Sequence, residues 1–310
     1  MILVCGETLI DLVHVDGEIW RALPGGSPAN TAVALARLST STAMLARISS
    51  DAFGTRLRDR LVGDGVDIRY VVKAAEQSSM AVVDLGDDGS ARYSFYLRDT
   101  ADWQWVTNDL PVAFDSSVTA LHAGSMALFM PPGGVVLEAM LERERAQRVV
   151  SIDPNVRASI CPDPRVYREA VERWLGLAHI VKASVDDVSW LYPDRSYADV
   201  LAEWSTRGPS LVVFTRSADG ALARLPSGLE VGVGGIEVEV VDTIGAGDTF
   251  TAGLLHALDE AALLNVSALA QLSAEQVEEA LRFAVLVSAV ACTRAGSDPP
   301  YLTDLPALSN

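Results

Sequence analysis

From Val118 to Thr215 short apolar runs alternate with amphipathic stretches, and few folds accommodate that pattern. Val118–His122, Val149–Asp153, His179–Lys182 and Leu211–Thr215 read as buried strands. Between them, Val135–Arg145 and Val166–Leu175 carry helical spacing, and further helices start at Ser184 and Ser196. Parallel strands need crossover connections, so strands separated by helices imply a mostly parallel sheet covered on both faces. Met1–Cys5 and Ala43–Ile48 extend the pattern backward, and Ala221–Leu225 and Leu229–Val240 extend it forward. Ser27-Pro28, a capping residue followed by proline, predicts a helix to about Leu38. Another helix is expected near Phe53–Leu61, and an extended piece at Val66–Val72. Two helices close the chain, one after Asp248 and one from Ser273, where Ser273 and Gln276 match a capping box.

One segment breaks the alternation. Met80–Leu85 and Ala91–Leu97 flank Gly86-Asp-Asp-Gly89, a hairpin signal. With Leu12–Trp20 it is assigned to a small β lid, covering approximately 12–22 and 78–104. No Pro/Gly/Ser-rich linker divides the chain, so the 310 residues are expected to form one α/β domain carrying that lid.

Asp242-Thr-Ile-Gly-Ala-Gly-Asp248 places a turn of small residues before an apolar helix pattern. Such a turn admits close backbone approach, and a helix N-terminus presents unpaired N–H donors, which together suit phosphate. A carboxylate at that mouth makes sense if Asp248 removes a proton from a hydroxyl that then attacks phosphorus. The plainer reading is that Asp248 caps a helix after a tight turn. Two other glycine-rich devices are excluded. No glycine is followed by Lys-Ser or Lys-Thr as a P-loop requires, and Phe250 stands where a dinucleotide fingerprint needs its third glycine.

The bulk properties narrow the partners. With 24 Lys and Arg against 41 Asp and Glu, the net charge of −17 argues against nucleic acid or an anionic membrane. An anionic substrate must therefore be received by local features. Cys5, Cys161 and Cys292 form no metal-type cluster and read as reduced thiols. The N-terminal run carries Glu7 and Asp11 and no basic leader, so a soluble, cytoplasmic protein is expected. His122 and His179 sit in apolar strands and read as core residues.

Several motifs in order give the chain a resemblance. Gly6-Glu7-Thr-Leu-Ile-Asp11, Gly25-Gly26-Ser-Pro-Ala-Asn30, Asp153-Pro-Asn-Val-Arg157, Val181-Lys-Ala-Ser-Val-Asp-Asp187 and Asp242–Asp248 together resemble the ribokinase-like (PfkB) carbohydrate kinases, most of all the fructokinases. The resemblance implies a ribokinase-like three-layer α/β/α domain, and ATP-dependent phosphorylation of a ketose, D-fructose giving fructose 6-phosphate. Asp248 matches the family's general base, and the backbone of Gly245, Ala246, Gly247 and Asp248 its anion hole. Asp11 would accept hydrogen bonds from sugar hydroxyls, Gly25 and Gly26 would let the sugar pack against backbone, and Asn30 would offer its amide. Arg157 is the local candidate for a cation facing phosphate or sugar, against an ordinary surface charge.

On the nucleotide side, Thr215-Arg-Ser-Ala-Asp-Gly220 matches the family's Thr-x-Gly-x-x-Gly turn, with Ser217 in place of the first glycine. Ser184 and Asp187 stand where relatives have Asn and Glu, a motif linked to Mg²⁺ and phosphate through water. Asp242 and Gly296 lie where relatives bind a monovalent cation, usually K⁺; a structural turn would explain them equally well. Arg98, Trp103 and Trp105 follow the hairpin, where a lid meets substrate, although strand aromatics more often serve packing. Arg98 also keeps open a 2-keto-3-deoxygluconate kinase, whose acid substrate needs a cation. Three other readings are disfavoured: a ribokinase by Ser27-Pro28 and the Asp153–Arg157 segment, a catalytically silent sugar- or nucleotide-binding protein by the intact Asp248 and its Gly-Ala-Gly turn, and a dehydrogenase by Phe250. The resemblance further implies a homodimer formed through the lid.

Overall fold

The structure is a computed structural model that describes residues 1–85 and 91–306. Its first strands are β1 (Ile2–Cys5), β2 (Leu9–Asp16), β3 (Ile19–Gly25), β4 (Thr42–Leu45), β5 (Arg47–Ser49), β6 (Val72–Ala74), β7 (Met80–Leu85) and β8 (Ala91–Tyr96). They are followed by β9 (Ala120–Gly124), β10 (Val149–Asp153), β11 (Ile180–Ser184), β12 (Leu211–Thr215), β13 (Ala221–Arg224) and β14 (Glu230–Val233). The first helices are α1 (Ser27–Arg37), α2 (Ala52–Gly63), α3 (Ser125–Phe129), α4 (Gly133–Glu144) and α5 (Pro164–Leu175). The rest are α6 (Val185–Leu191), α7 (Tyr197–Trp204), α8 (Ala246–Glu260), α9 (Val266–Leu269) and α10 (Ala274–Cys292).

Eight strands form the central sheet in the order β14-β13-β12-β11-β10-β9-β1-β4. Pairing is parallel from β4 to β12 and antiparallel at β13 and β14. Successive strand residues point to opposite faces, which explains the two apolar layers. Ile2, Val4, Ile180 and Val213 pack with Leu35, Leu57, Leu254 and Leu281 of α1, α2, α8 and α10. Leu3, Cys5, Val181 and Val212 pack on the other side with Leu137, Tyr167, Leu191 and Trp204 of α4 to α7. Each fully buried Leu or Phe contributes roughly 1.5–3 kcal/mol, so these layers hold the sheet. The expected α/β/α sandwich is present.

The winding direction reverses between β1 and β9, and the strand carboxyl ends leave a crevice there. From that point the chain leaves the core through Gly6–Thr8 to build a second sheet, β3-β2-β7-β8. Asp102 clamps both of its entry strands. Its Oδ1 accepts the Thr8 N–H at 2.9 Å and its Oδ2 the Ser79 hydroxyl at 2.5 Å.

The small sheet is longer than the expected 12–22 segment, since β2 starts at Leu9 and β3 ends at Gly25. Asp11 is therefore a residue of this sheet, one position before the expected lid segment. The Gly86-Asp-Asp-Gly89 turn lies outside the described residues. Trp103 and Trp105 are each 1% exposed and belong to the core, so neither covers a sugar. Ala43–Ile48 divides into β4 and β5, which join different sheets, and Val66–Val72 yields a strand only from Val72. The long strand expected at Leu229–Val240 stops at Val233. Gly234 and Gly235 follow, and a side chain at 235 would collide with the Ala218 carbonyl, so the chain leaves the ladder there. Ser27 does not cap α1. Gly26, at φ 103°, takes the capping position and frees the Ser27 hydroxyl for another partner.

Candidate active site

The partner of Ser27 is Asp248. In the first turn of α8, Asp248 is 7% exposed, and its Oδ1 accepts the Ser27 hydroxyl at 2.7 Å. Its Oδ2 accepts the Asn30 amide at 3.0 Å. One hydrogen bond to each oxygen fixes the carboxylate plane and leaves a lone pair on each for a further donor. Burial pushes the Asp248 carboxyl above the ordinary Asp range, opposed by the Ser27 and Asn30 hydrogen bonds and by the Arg157 charge. The Asn30 Oδ1 is buried without a partner among the described residues, an acceptor left for a further donor.

Ser27 is itself oriented. The Asn155 amide donates to its oxygen at 2.6 Å, and the Arg157 guanidinium donates to the Asn155 carbonyl oxygen at 2.6 Å. Asn155 holds the left-handed φ of 39°, and the Asp153 Oδ1 accepts its N–H at 3.0 Å. The Asp-Pro-Asn-Val-Arg segment is thus a turn that aims Asn155 and Arg157 at Ser27 and Asp248. Asp187 secures the turn from behind. Its Oδ1 accepts the Val156 N–H at 3.1 Å, and its Oδ2 the Ser184 N–H at 3.2 Å in a capping box with Ser184.

Gly245 begins α8 in the left-handed conformation at φ 77°, and a side chain there would meet Ser297 Oγ at 2.5 Å. The Ala246 N–H turns to the Thr243 carbonyl at 3.2 Å. The N–H groups of Gly245, Gly247 and Asp248 have no partner among the described residues. With the helix dipole behind them they form an anion cradle of three donors, one fewer than the sequence suggests. The Asp242 Oδ1 accepts the Ile244 N–H at 3.0 Å and its Oδ2 the Gly296 N–H at 2.8 Å, stapling this loop to the 294–297 loop.

In the small sheet, Asp11 of β2 lies over Gly25 of β3, and a side chain at 25 would overlap the Asp11 carboxylate. Gly26 is required separately, because its φ is left-handed and an added Cβ would sit 2.7 Å from the Glu7 carbonyl. Burial raises the Asp11 carboxyl to about 6, while Arg157 and Arg60 pull it down and Asp248 pushes it up. Asp11 and Asp248 are therefore near enough to influence each other's charge, as are Arg157 and Arg60 with Asp11.

Nothing in the sequence marks Arg60 as a site residue. It projects from α2, donates to the Pro24 carbonyl, and reaches the Ser297 carbonyl at 2.9 Å, joining the Gly25-Gly26 strand end to the 294–297 loop. Arg98, by contrast, is exposed and has no partner among the described residues. Lys182 is a second site residue that sequence reasoning passes over. It is 4% exposed and its Nζ lies 2.8 Å from Asp153 Oδ2. Its only signal is a charged residue inside an otherwise apolar strand.

In the Thr215–Gly220 turn, the Thr215 hydroxyl donates to the Ala183 carbonyl at 3.5 Å. Ser217, in the family's glycine position, adopts φ 49°, the conformation a glycine would take without strain. Gly220 is left-handed at φ 84°, and a side chain there would strike the Val233 carbonyl. Val185, Asp186, Tyr197, Arg216, Ser217 and Asp219 line a cleft of about 160 Å³ beside this turn. A larger groove of about 600 Å³ along α5, lined by Glu169, Glu172, Arg173, Gly176 and Arg207, contains none of the site residues. Among the described residues no cluster of three or more His, Cys, Asp or Glu forms a metal cage, and no helix is long and apolar enough to cross a membrane.

Comparison with known proteins agrees with this geometry. The family model for pfkB family carbohydrate kinases matches residues 1–304. A fructokinase of Rhizobium leguminosarum bv. trifolii is 37% identical over 286 residues, covering 91% of this chain and 86% of that protein. A fructokinase structure with bound ATP from Xylella fastidiosa superposes with a TM-score of 0.88 at 28% identity, covering 98% of this chain and 94% of that one. A double mutant of Vibrio cholerae O395 fructokinase, bound to fructose, ADP and potassium ion, gives 0.82 at 29% identity, covering 96% and 93%. With the three-donor cradle and Asp248 at the head of α8, these matches place the chain in the pfkB family of carbohydrate kinases.

Proposed function

We propose that this kinase transfers the γ-phosphoryl group of ATP to D-fructose, giving fructose 6-phosphate. The observation that carries the reading is the Asp248 carboxylate, oriented by Ser27 and Asn30 beside the three free N–H donors of Gly245, Gly247 and Asp248. Asp248 takes the proton of the sugar hydroxyl as that oxygen attacks the γ-phosphorus. The bond from phosphorus to the β,γ-bridging oxygen breaks, and ADP leaves with the bonding pair. General-base help of this kind contributes about 10²–10⁴-fold, and each cradle donor about 2.7–4 kcal/mol to the transition state. Asp11, Asn30 Oδ1 and the backbone at Gly25 and Gly26 bind the sugar, and Arg157 adds positive charge beside it.

Names of the relatives support fructose over other acceptors. A sugar acid would require a cation free to meet its carboxylate, and Arg98 is the candidate for that substrate. An ADP-release assay over fructose, ribose, 2-keto-3-deoxygluconate and nucleosides tests the assignment. Fructose should give the highest kcat/KM, and no release with fructose would refute it.

Magnesium would enter with ATP and offset the phosphate charge, and Asp187, whose oxygens already accept the Val156 and Ser184 N–H groups, would reach it only through water. Ser184, Thr215, Ser217 and Gly220 border the nucleotide. Asp242 and the backbone around Gly296 are the proposed seat of a potassium ion, and the potassium-bound relative supports this. The small sheet acts as the lid of a single domain and as a homodimer surface. Ile19 (64% exposed), Tyr96 (58%) and Trp20 (41%) leave apolar surface open on it, which sedimentation or light scattering tests as a dimer contact. A cytoplasmic location fits the reduced thiols and the ATP requirement.

A further inference from the structure

We propose that Lys182 is a positioning residue of the phosphoryl-transfer site, held by Asp153 beneath the first turn of α8 so that its ammonium fixes the charge and packing under Gly247. The proposal rests on the reading of Gly245–Asp248 as the transfer site.

The placement follows from strand register. β10 and β11 pair in parallel with Ser151 opposite Ile180 and Ile152 opposite Val181, so Asp153 and Lys182 come next at the carboxyl ends. Ile180 belongs to the layer shared with α1, α8 and α10, and Lys182, two residues on, faces the same way. There the ammonium meets Gly247, where an added Cβ would lie 3.1 Å from Nζ. Gly247 has no left-handed backbone, and a methyl group there would make the ammonium give way by a few tenths of an ångström.

A buried ion pair gives little net stability over packed apolar groups, since removing each ion from water costs several kcal/mol. The charge must be judged by what it faces. Burial opposes the Lys182 charge, but Asp153 overrides it, aided by Asp187 and Asp248, and the ammonium stays protonated. Asp248 also faces Arg157 of the β10 loop and Asp11 of β2, and Asp11 in turn faces Arg60 of α2. Lys182 is thus the buried cation among Asp153, Asp187 and Asp248, where a polyphosphate would add further negative charge. His122, which neighbours the pair, is held neutral by burial, at about 4. Through Asp153, which accepts from both Lys182 Nζ and the Asn155 N–H, the pair is also joined to the Asn155–Ser27–Asp248 chain.

Opposite charges on the two members give a test that simple loss of structure would not mimic. Lys182 favours ionised Asp248 and Asp153 disfavours it. In pH profiles of kcat/KM for fructose at saturating MgATP, Lys182→Met should move the acid limb to higher pH and Asp153→Asn to lower pH. Each displacement should be on the order of half a pH unit or more. Both substitutions break the same pair, so limbs that stay fixed or move together would overturn the proposal. Gly247→Ala keeps the pair but pushes the ammonium, and covers the case where either variant fails to fold. It should lower kcat at least about tenfold with an unchanged Tm and an acid limb displaced upward; wild-type kcat and profile would overturn the proposal. An inactive Asp248→Asn control combined with unmoved limbs would sink this inference while leaving the base assignment standing.

Discussion

The Ser27 hydroxyl donates to Asp248 Oδ1 at 2.7 Å across 221 residues of chain, from the N-terminus of one helix to that of another. The contact exists because Gly26, not Ser27, caps α1, so the hydroxyl is spared from backbone duty. It favours the ionised carboxylate against the burial that disfavours it. Ser27→Ala should therefore move the acid limb of kcat/KM to higher pH and lower activity most below neutrality. A profile that only scales down, with an unmoved limb, would show that Ser27 orients without tuning.

Gly25 is defined by Asp11. A methyl group at 25 overlaps the Asp11 carboxylate, so Gly25→Ala must displace the group proposed to bind the sugar. Misplacement of about 1 Å costs on the order of 10²-fold. The loss should fall on kcat/KM for fructose, with KM for ATP little changed. Steady-state kinetics with each substrate varied separately provides the check.

Arg60 spans from the Pro24 carbonyl to the Ser297 carbonyl. Arg60→Met should raise KM for fructose and weaken any activation by potassium together, since one strut serves both loops. Activity titrated with KCl at several fructose concentrations tests this. A change in one parameter alone would disconnect the two loops.

Glu7 and Asp102 predict a pH dependence of stability. Burial raises Glu7 from 4.5 to about 7 and Asp102 from 3.8 to about 6. With folded values above the unfolded ones, the folded state holds protons that the unfolded state has lost. The stabilisation is complete below about pH 4 and is lost as pH rises through about 6 and 7, roughly 3 kcal/mol for Glu7. Glu7→Gln, measured by urea unfolding between pH 5 and 8, should flatten that slope. An unchanged slope would place the proton elsewhere.

Much of the fold and site is legible in the chain for identifiable reasons. The strand at Val149–Asp153 and the capping box at Ser273 are local signals, and both are present as read. Asp11, Gly25, Asn30 and Asp248 stand out as polar or small residues at element boundaries. Arg60 and Lys182 do not, because what matters in each is a partner far along the chain, Ser297 for one and Gly247 for the other. Ser27 misleads for the opposite reason. Its local pattern predicts a cap, but Gly26 can reach φ 103° and a tertiary partner claims the hydroxyl. Leu229–Val240 looks like one strand because apolar periodicity does not register that a glycine pair must pass the Ala218 carbonyl.

The central claim is that Asp248 takes the proton from the sugar. Asp248→Asn preserves shape and removes the base, and Asn30 and Ser27 remain to hold the amide. Measured by ADP release with fructose, kcat should fall by at least about 10²-fold while calorimetry still detects fructose and ATP binding. Retention of most of the wild-type kcat would contradict the account.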